Sequence, residues 1–574
     1  MWVKCVQFMN PGEYAMSCTS VKRSLASLAL VSFVLATAAL SAAQATFTNL
    51  FDFDQTNGQN PLYVYLVQGT DGQLYGTANG GGNQSAGTVY KITTAGAFTQ
   101  LYSFCSQPSC ADGGLPYAGL VMTANGNFYG STSYGGLTTQ ACDTGINGCG
   151  TIFEITPTGG FTLLHTFTGP DGFSPYANMT LGSDGNLYGT TLYGGNQSAI
   201  GCSGIGCGTV FKITPSGKFS LLYAFSGGSD GQWPVGRLFQ GINGNFYGTT
   251  GSTIFEITPA GKLTTLNSTP AGSIEGGVVQ TPDGTIYGTT SNGGSNNCGT
   301  IFKLVGKKLT TLYNFCSQPN CADGNYPYGG LIQASDGNLY GTTNGGGPSA
   351  GTAYEFIPPG TINTLYSFCS QSQCSDGAMP YGGGLLQATD GNIYGTTDQG
   401  GEQSQWGTIF KISNGLAPFV QTVINSGKVA AKITILGTSL TGSTAASFNG
   451  TAATFKVNLT GTAITATVPA GATTGNIQVT TPGGTLSTTV AFKVTPQVKT
   501  FSPTSGAAGT QVTITGVSLT QASKVTFGGV AAISFTVNSD TQVTATVPTG
   551  AKTGKIAITT PGGTASSATV FTVT

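Results

Sequence analysis

The sequence predicts an all-β chain, in which a seven-bladed β-propeller is followed by two immunoglobulin-like β-sandwich domains. Three observations predict this fold class. A unit of about 50 residues occurs seven times, with four short β-rich segments in the first six copies and three in the last; propeller blades have four strands and, in some families, this repeat length. One further β-rich segment precedes the first unit. Two similar segments rich in Thr and Val follow the last unit.

The composition indicates which partners the chain does not bind. Its 574 residues include 39% hydrophobic residues but only 7% charged residues, and the net charge is −1. Nucleic acids and anionic membranes attract clustered Lys and Arg side chains. We therefore expect no nucleic-acid partner, and a surface of neutral hydrogen-bonding groups that suits an extracellular protein.

Residues 1–45 are expected to form a secretory signal peptide. The basic pair at 22–23 precedes an apolar run over residues 25–40, and Ala-Gln-Ala at 43–45 suits cleavage. The run has 16 residues, fewer than the roughly 20 that a membrane-spanning helix needs. We expect a secreted or cell-surface protein with no transmembrane span in the mature chain.

The propeller is predicted over residues 46–415. In the sixth unit the four segments are GGLIQAS, NLYGTT, GTAYEF and INTLYSF, which we call strands A to D. The tyrosine of strand B recurs at Tyr75, Tyr129, Tyr188, Tyr247, Tyr287, Tyr340 and Tyr394. A parallel β-helix repeats about every 20 residues and fits this spacing poorly.

The ends of the repeat region predict a closed ring. The chain begins with a D-type segment at residues 46–53, and the seventh unit contains only strands A, B and C. If the N-terminal segment completes the seventh blade, no free sheet edge remains there. An open solenoid offers no reason for a start that is out of phase.

The repeated motifs resemble those of a known family. DGNLYGTT, GTIFKI and segments of the type FTLLYSF are similar to the GloVer tandem repeat over roughly residues 46–413. That repeat occurs in secreted or surface-attached bacterial proteins. The resemblance implies exposure at the cell exterior and implies no particular reaction.

Residues 416–496 and 497–574 are the two predicted sandwich domains. They align at a constant offset of 79 residues, which pairs Gly437 with Gly516 and Phe448 with Phe527. Alternating runs such as QVTIT predict half-buried strands. FSPTSGAAG and TPGG in the second segment resemble IPT/TIG domains, modules that are common as spacers in exported proteins. Neither segment contains Cys or His, so we expect a spacer.

Strand order assigns the connections to two faces. The A–B turns are Asp-Gly or Asn-Gly steps, for example at residues 71–72 and 125–126. This pattern predicts two-residue hairpins in which both residues have positive φ, so we interpret these aspartates as structural. The D–A and B–C loops, which are long and variable, lie on the other face, where function is expected to concentrate.

Ten cysteines are expected to form local disulfides. In an exported chain, short spacings indicate the pairs Cys105/Cys110, Cys142/Cys149, Cys202/Cys207, Cys316/Cys321 and Cys369/Cys374. Zinc binding is the alternative, although the chain has one His and no clustered carboxylates. Cys298 is left over, either as a buried thiol or as one half of an intermolecular bridge.

Two sets of repeated loop residues are candidate ligand contacts. An Asp-Gly-x-x-Pro step follows the cysteine pairs, and tyrosines follow several of its prolines. The candidates are Asp112, Asp171, Asp230, Asp323, Asp376, Tyr117, Tyr176, Tyr328 and Tyr381. A ring of carboxylates at the channel mouth suits a cation or sugar hydroxyls, and the tyrosines suit stacking on a flat or sugar-like ligand. The alternatives are a structural turn for the aspartates and packing between blades for the tyrosines.

Catalysis is not expected. The only histidine, His165, replaces a repeated tyrosine, and Glu275 and Glu402 are isolated acids, whereas glycosidases need a carboxylate pair. The leading hypothesis is an exported, non-catalytic protein that binds glycan or extracellular protein through its loop face. The alternatives are a polysaccharide hydrolase or lyase and a structural surface-layer component. No cofactor is expected, with calcium left open.

Overall fold

The computed structural model describes residues 45–574 except 138–141, 143–147, 199, 203, 269–271, 348–349 and 403–405. These residues form strands, turns and loops, with short 3-10 helices at Pro108–Cys110, Ile200–Cys202, Pro319–Cys321 and Ser372–Cys374. The predicted all-β class is confirmed. The expected signal peptide lies outside the described residues, apart from residue 45. In the part of the chain that is described, no helix has the length and hydropathy of a membrane span.

Seven four-stranded antiparallel sheets, which we call blades 1 to 7, make up the repeat region. The chain begins with β1 (Thr46–Asp52), and the strands of blades 1 to 3 are β2 (Val67–Gln68), β3 (Leu74–Ala78), β4 (Thr88–Ile92), β5 (Phe98–Ser103); β6 (Val121–Met122), β7 (Phe128–Thr132), β8 (Thr151–Ile155), β9 (Phe161–Thr166); and β10 (Thr180–Leu181), β11 (Leu187–Thr191), β12 (Thr209–Ile213), β13 (Phe219–Ala224). In each of these three sheets, neighbouring strands are hydrogen-bonded in their order along the chain, which is the predicted order A, B, C, D.

The next three blades repeat this order, and the last one contains only three consecutive strands. Their strands are β14 (Phe239–Gln240), β15 (Phe246–Thr249), β16 (Thr253–Ile257), β17 (Leu263–Ser268); β18 (Val279–Gln280), β19 (Ile286–Thr290), β20 (Thr300–Val305), β21 (Lys308–Asn314); β22 (Ile332–Gln333), β23 (Leu339–Thr343), β24 (Thr352–Ile357), β25 (Thr361–Ser367); and β26 (Leu386–Gln387), β27 (Ile393–Thr397), β28 (Thr408–Ser413).

The N-terminal strand completes the seventh blade, as the sequence predicts. β1 pairs antiparallel with β28, from Thr46 opposite Ser413 to Asp52 opposite Thr408, so that the sheet order is β1-β28-β27-β26. The first and last parts of the repeat region are therefore held in one sheet. This pairing covers the backbone edge that β28 otherwise exposes.

Glutamine side chains on the first strands join neighbouring blades. The Oε1 atoms of Gln240, Gln280 and Gln387 accept hydrogen bonds from Ser183 N (2.8 Å), Ile242 N (2.9 Å) and Ser335 N (2.8 Å), each in the preceding blade. Oε1 of Gln68 in blade 1 accepts one from Thr389 N in blade 7 at 3.0 Å. This last bond links the seventh blade to the first and closes the ring a second time.

The Tyr-Gly step of each second strand is explained by packing. β3 and β7 are buried along their whole length. The ring of Tyr75 stacks on Phe128 of the next blade at 3.9 Å between centroids. A Cβ atom at Gly130 would lie 2.5 Å from the ring of Phe153. Glycine thus lets an aromatic ring of the third strand lie directly on the backbone of the second.

The outer strands of successive blades are connected by stacked aromatic rings. Tyr102 stacks on Phe161 at 4.3 Å, and His165 stacks on Phe219 at 4.0 Å. Because His165 occupies the position of the repeated tyrosine in this stack, its interpretation as a structural residue agrees with its environment.

The A–B hairpins differ from the predicted two-residue turns. In blade 1, Gly69 O accepts from Gly72 N at 3.0 Å, and Gly69 N donates to Gln73 O at 2.8 Å. Gly72 has a φ of 79°, whereas Asp71 is not among the residues with positive φ. The connection is a three-residue loop that ends in a left-handed glycine. Asp71 instead accepts a hydrogen bond from Tyr75 Oη at 2.8 Å, which supports its structural role.

Two β-sandwiches follow the ring, with strands in equivalent order. The strands of the first are β29 (Gln421–Thr422), β30 (Ser426–Gly427), β31 (Lys432–Leu436), β32 (Ala445–Phe448), β33 (Thr451–Ala452), β34 (Phe455–Val457), β35 (Ala463–Thr467), β36 (Ile477–Thr481), β37 (Gly484–Ser487) and β38 (Lys493–Val494). Its two main sheets have the orders β29-β31-β35-β34 and β33-β32-β36-β37, and β30 pairs in parallel with β38.

The second sandwich repeats this plan in residues 497–573. Its strands are β39 (Gln497–Ser502), β40 (Ser505–Gly506), β41 (Gln511–Val517), β42 (Lys524–Phe527), β43 (Val530–Ala531), β44 (Phe535–Ser539), β45 (Gln542–Thr546), β46 (Gly554–Thr560) and β47 (Gly563–Val573). The sheet orders are β39-β41-β45-β44 and β40-β47-β46-β42-β43. Each sandwich has its own buried apolar cluster, centred on Phe448 in the first and Phe527 in the second.

The first sandwich packs against the face of the ring that carries the A–B hairpins. Thr462 Oγ1 donates to Thr70 O at 2.7 Å, and Lys493 Nζ donates to Ile242 O at 2.7 Å. Leu436 belongs to the same apolar cluster as Tyr75. The hairpin face is therefore covered by a neighbouring domain, and the face formed by the D–A and B–C loops lies on the opposite side.

Candidate functional site

The D–A loops share one backbone conformation on the face away from the sandwich. In six of them the residue before the proline is not glycine but has a left-handed φ of 49° to 56°, which is uncommon for such residues. These residues are Asn60, Leu115, Ser174, Trp233, Tyr326 and Met379. Three of the side chains are exposed: Trp233 (37%), Tyr326 (39%) and Met379 (37%). The shared conformation thus presents large apolar groups on the loop face.

The repeated aspartates do not form a ring at the channel mouth. Asp112 is fully buried and accepts hydrogen bonds from Tyr102 Oη (2.8 Å) on the outermost strand, and from Ser106 N (2.9 Å) and Gln107 N (3.2 Å). Asp323 and Asp376 make the same set of contacts in blades 5 and 6. These carboxylates lie beside the outer strands and hold the loops from within, so the geometry favours the turn interpretation over ligand contact.

The other two aspartates brace shorter loops in the same way. Asp230 accepts from Ser226 N (2.8 Å) and Tyr223 Oη (3.0 Å). Although burial opposes ionisation, the hydrogen bonds from the Ser226 hydroxyl, from Ser226 N and from Tyr223 hold the pKa of Asp230 below its usual value. Asp171 accepts from His165 Nε2 at 2.9 Å and from Thr168 N at 2.8 Å. Its pKa is likewise lowered by these donors against the effect of burial.

All five predicted cysteine pairs are disulfides. Three of them close loops next to the bracing aspartates, and two connect within B–C loops; they are Cys105–Cys110, Cys316–Cys321, Cys369–Cys374, Cys142–Cys149 and Cys202–Cys207. Cys298 is a free, half-buried thiol. Burial, followed by the nearby Asp323 carboxylate, raises the pKa of this thiol.

A grouping of potential metal ligands occurs at one place in the described residues. It consists of Cys298, Cys316 and Cys321. The last two are joined in a disulfide, and an oxidised pair does not offer the thiolate ligands that zinc requires. The candidate aspartates are not part of any such group in this portion of the chain.

The candidate tyrosines do converge, and a fifth tyrosine joins them. Tyr117 stacks on Tyr176 at 4.3 Å, and Tyr328 lies 4.7 Å from Tyr381, measured between ring centroids. The ring of Tyr63 lies between these pairs, 6.4 Å from Tyr176 and 5.5 Å from Tyr381. We call these five residues the tyrosine cluster. It lies at the centre of the loop face and brings together blades 1, 2, 3, 6 and 7.

Glu275 takes the place of a cluster tyrosine in blade 5. In each blade, one buried residue leads into the first strand. The residues three positions before it, from blade 1 to blade 7, are Tyr63, Tyr117, Tyr176, Val235, Glu275, Tyr328 and Gly382. Glu275 Oε1 accepts from Ser291 Oγ at 3.0 Å, and burial raises the pKa of its carboxyl despite this bond. The sequence alone identifies Glu275 only as an isolated acid. Its position relative to the tyrosines identifies it as part of the site.

Arg237 is a functional candidate that the sequence analysis missed. It is the only arginine after residue 23, and it occupies a position that is glycine in blades 2, 5, 6 and 7. Its guanidinium lies over the Tyr65 ring, 4.9 Å from the centroid. Burial raises the pKa of Tyr65 although the Arg237 charge opposes this shift. A comparison of the units position by position, rather than of their motifs, would have revealed Arg237.

The space between the tyrosines and Arg237 is narrow. It is lined by residues that include Tyr63, Tyr176, Asn178, Arg237 and Glu275. Among the lining residues that the structure describes, Glu275 is the only carboxylate.

Two family models match successive parts of the chain. The Gloeobacter/Verrucomicrobia repeat matches residues 38–142, 137–253 and 250–464, and the IPT/TIG domain matches residues 496–573. No curated protein matches the chain.

Solved structures that match this chain have low sequence identity to it. They include "Streptogramin B lyase structure" (15% identity, 65% of this chain and 99% of that chain, TM-score 0.44) and virginiamycin B lyase from Staphylococcus aureus (16%, 64% and 99%, TM-score 0.42). A shorter match is the surface glycan-binding protein PbSGBP-B from Prevotella bryantii (21%, 26% and 38%, TM-score 0.21). The repeat matches cover more than half of the sequence and confirm the resemblance to the GloVer repeat. This chain belongs to the Gloeobacter/Verrucomicrobia repeat family and carries a C-terminal IPT/TIG domain.

Proposed function

We propose that this protein is an exported, non-catalytic binding protein and that its tyrosine cluster recognises glycans. The observation that carries the proposal is the convergence of five tyrosines from five blades at the centre of the loop face. Tyrosine offers an apolar ring face together with a polar hydroxyl group. This combination matches a sugar ring, which has C–H groups on its faces and hydroxyl groups around its edge.

The electrostatics of the cluster favour an uncharged, hydroxyl-rich ligand. Burial, together with the neighbouring Tyr381, raises the pKa of Tyr63 above its usual value. Burial, together with Tyr117, has the same effect on Tyr176. Both side chains therefore keep their hydroxyl protons over the physiological pH range and remain hydrogen-bond donors. Glu275 adds an acceptor at the edge of the cluster.

The surroundings of the cluster support a role outside the cell. Five disulfides suit an oxidising compartment. The first sandwich occupies the hairpin face and leaves the loop face accessible, which agrees with a spacer role for the sandwiches. Exposed Trp233, Tyr326 and Met379 extend the apolar surface beyond the cluster.

The test is a glycan array probed with residues 45–574, followed by titration of each hit in solution. We expect Tyr176→Ala to weaken binding about tenfold or more, as for a buried aromatic contact residue, and Tyr176→Phe to retain most of the affinity. Leu221→Ala, which alters an exposed side chain on an outer strand, is the matched control and should bind as the parent does. Absence of selective glycan binding, or equal loss in the control, would contradict the proposal and favour a structural surface-layer role.

A polysaccharide hydrolase or lyase is the second candidate, and Glu275 is the residue that favours it. Because burial raises the pKa of its carboxyl group, Glu275 has the character of a general acid. Incubation of each bound polysaccharide with the protein and with Glu275→Gln distinguishes the two functions. Product formation that requires Glu275 would establish catalysis, whereas unchanged polymer with retained binding supports the proposed function.

A further inference from the structure

A chamber lies between the hairpin face of the ring and the first sandwich. Its volume is about 1200 Å³, compared with roughly 300–1,000 Å³ for most small-molecule sites. One wall includes the first strands of blades 3 to 6. The other includes residues 417–419, 423–425, 487–491 and 493 of the first sandwich, and Pro561 of the second also lines the space. The chamber is separate from the tyrosine cluster, although Tyr65 and Arg237 line both spaces.

The walls of the chamber carry polar side chains together with apolar side chains that are incompletely packed. Phe239, Ile332 and Ile424 line it and are only half-buried. Ile242 from the ring and Val490 from the sandwich also line it, and their side chains are 54% and 56% exposed. Apolar side chains from both domains are therefore available to an apolar ligand, whose burial is favourable.

The charged residues of the chamber are all cationic. Arg237 and Lys493 line it, and no Asp or Glu occurs among the described lining residues, although the chain as a whole has a net charge of −1. Lys493 Nζ donates to Ile242 O at 2.7 Å, and burial lowers its pKa. Charge complementarity therefore points to an anionic group in the ligand.

Arg237 is the residue best placed to bind that group. Its guanidinium lies over the Tyr65 ring at 4.9 Å, and it has no hydrogen-bond acceptor or ion-pair partner among the described residues. The aromatic ring of Tyr65 covers one face of the guanidinium and leaves its N–H edge free. A planar carboxylate can accept two parallel hydrogen bonds from such an edge.

We propose that this chamber binds a long-chain carboxylate, with its head group on Arg237 and its alkyl chain between the ring and the first sandwich. The volume, the apolar walls and the two cations together define this ligand class. The proposal does not depend on glycan recognition, because the tyrosine cluster lies on the other side of Tyr65 and Arg237.

The test uses residues 45–574 and hexadecanoate, which displaces a fluorescent long-chain carboxylate. We expect saturable binding, with the affinity reduced about 10- to 100-fold in Arg237→Gln, as for loss of a charge-assisted hydrogen-bonded pair. Lys456→Gln removes an exposed cation of the sandwich that does not line the chamber, and it should bind as the parent does. Hexadecanol, which has the same chain and no charge, should bind at least tenfold more weakly to the parent.

A second variant keeps the proposal falsifiable if Arg237→Gln fails to fold. Val490→Asp places a negative charge on an exposed side chain at the chamber, and it should weaken hexadecanoate without lowering the unfolding temperature. Equal affinities for hexadecanoate and hexadecanol would overturn the proposal. So would unchanged hexadecanoate binding in Val490→Asp, or equally tight binding of hexadecyl sulfate, which would show an anion site without preference for carboxylate.

Discussion

Asp323 shows how one buried carboxylate shapes a loop whose only regular element is the 3-10 helix Pro319–Cys321. Its oxygens accept hydrogen bonds from Tyr313 Oη (2.8 Å), Ser317 N (2.9 Å), Ser317 Oγ (2.9 Å) and Gln318 N (3.2 Å). The loop is also closed by Cys316–Cys321. Both features occupy the same few residues, so the carboxylate fixes the loop backbone and the disulfide restricts the unfolded chain.

We predict that Asp323→Asn lowers the free energy of unfolding by about 1.5–3 kcal/mol, because an amide presents an N–H₂ group where the native side chain accepts hydrogen bonds from donors. The measurement is urea unfolding followed by tyrosine fluorescence. Asp336→Asn is the matched control, since asparagine stands at the equivalent hairpin position in Asn125 and Asn243. It should change stability by less than about 0.5 kcal/mol.

The opposite outcome has a clear meaning. If Asp323→Asn leaves stability unchanged and instead weakens ligand or calcium binding, the ligand interpretation of the repeated aspartates is correct. The structural interpretation requires the stability of this variant to fall whether or not a ligand is present.

At the level of the strands, the repeated motifs predicted each blade because every strand carries its own turn and burial signals. The motif Leu-Tyr-Gly-Thr predicts strand B. In the structure, its glycine is explained by the packing of Phe153 on Gly130. The hairpin geometry was not predicted correctly, because Asp-Gly suits both a two-residue turn and a longer loop. The hydrogen bond between Gly69 N and Gln73 O distinguishes the two, and it depends on residues outside the dipeptide.

Gly130→Ala tests the cause assigned to the Tyr-Gly step. The added Cβ atom would lie 2.5 Å from Phe153 and 2.8 Å from Leu120, so we expect a loss of about 1–3 kcal/mol in the free energy of unfolding from overpacking. Gly251→Ala is the control, because no atom lies within 4 Å of its added Cβ and its φ is not left-handed. Equal effects of the two substitutions would show that close packing is not the reason for glycine in strand B.

At the scale of the whole molecule, repetition determined what the sequence could predict. The strand motifs and the cysteine pairs recur from unit to unit, so that each unit supports the assignment of the others. The number of units and the out-of-phase start follow from the same repetition. Arg237, Glu275 and the chamber do not recur. They arise where a single unit departs from the pattern, or where two domains meet through contacts such as that of Lys493 with Ile242. Such contacts have no periodic signal in the sequence.

The closure of the ring by β1 leads to the last prediction. Phe47 of this strand stacks on Tyr366 of blade 6 at 3.8 Å, and Phe51 stacks on Phe98 of blade 1 at 4.0 Å. β1 therefore connects the seventh blade to both neighbours, besides covering the edge of β28. Deletion of residues 46–52 should lower the unfolding temperature and produce concentration-dependent association through the exposed edge.

Two measurements separate this effect from general destabilisation. A synthetic peptide of residues 46–53, added to the deletion variant, should restore a monomer in analytical ultracentrifugation, because it can pair with β28 in the same register. Deletion of residues 497–574 is the control. Since the second sandwich has its own apolar core, its removal should leave the unfolding temperature of the ring unchanged. A deletion variant without β1 that stays monomeric at the parental unfolding temperature would show that the ring closes by other contacts, such as the bond of Gln68 to Thr389.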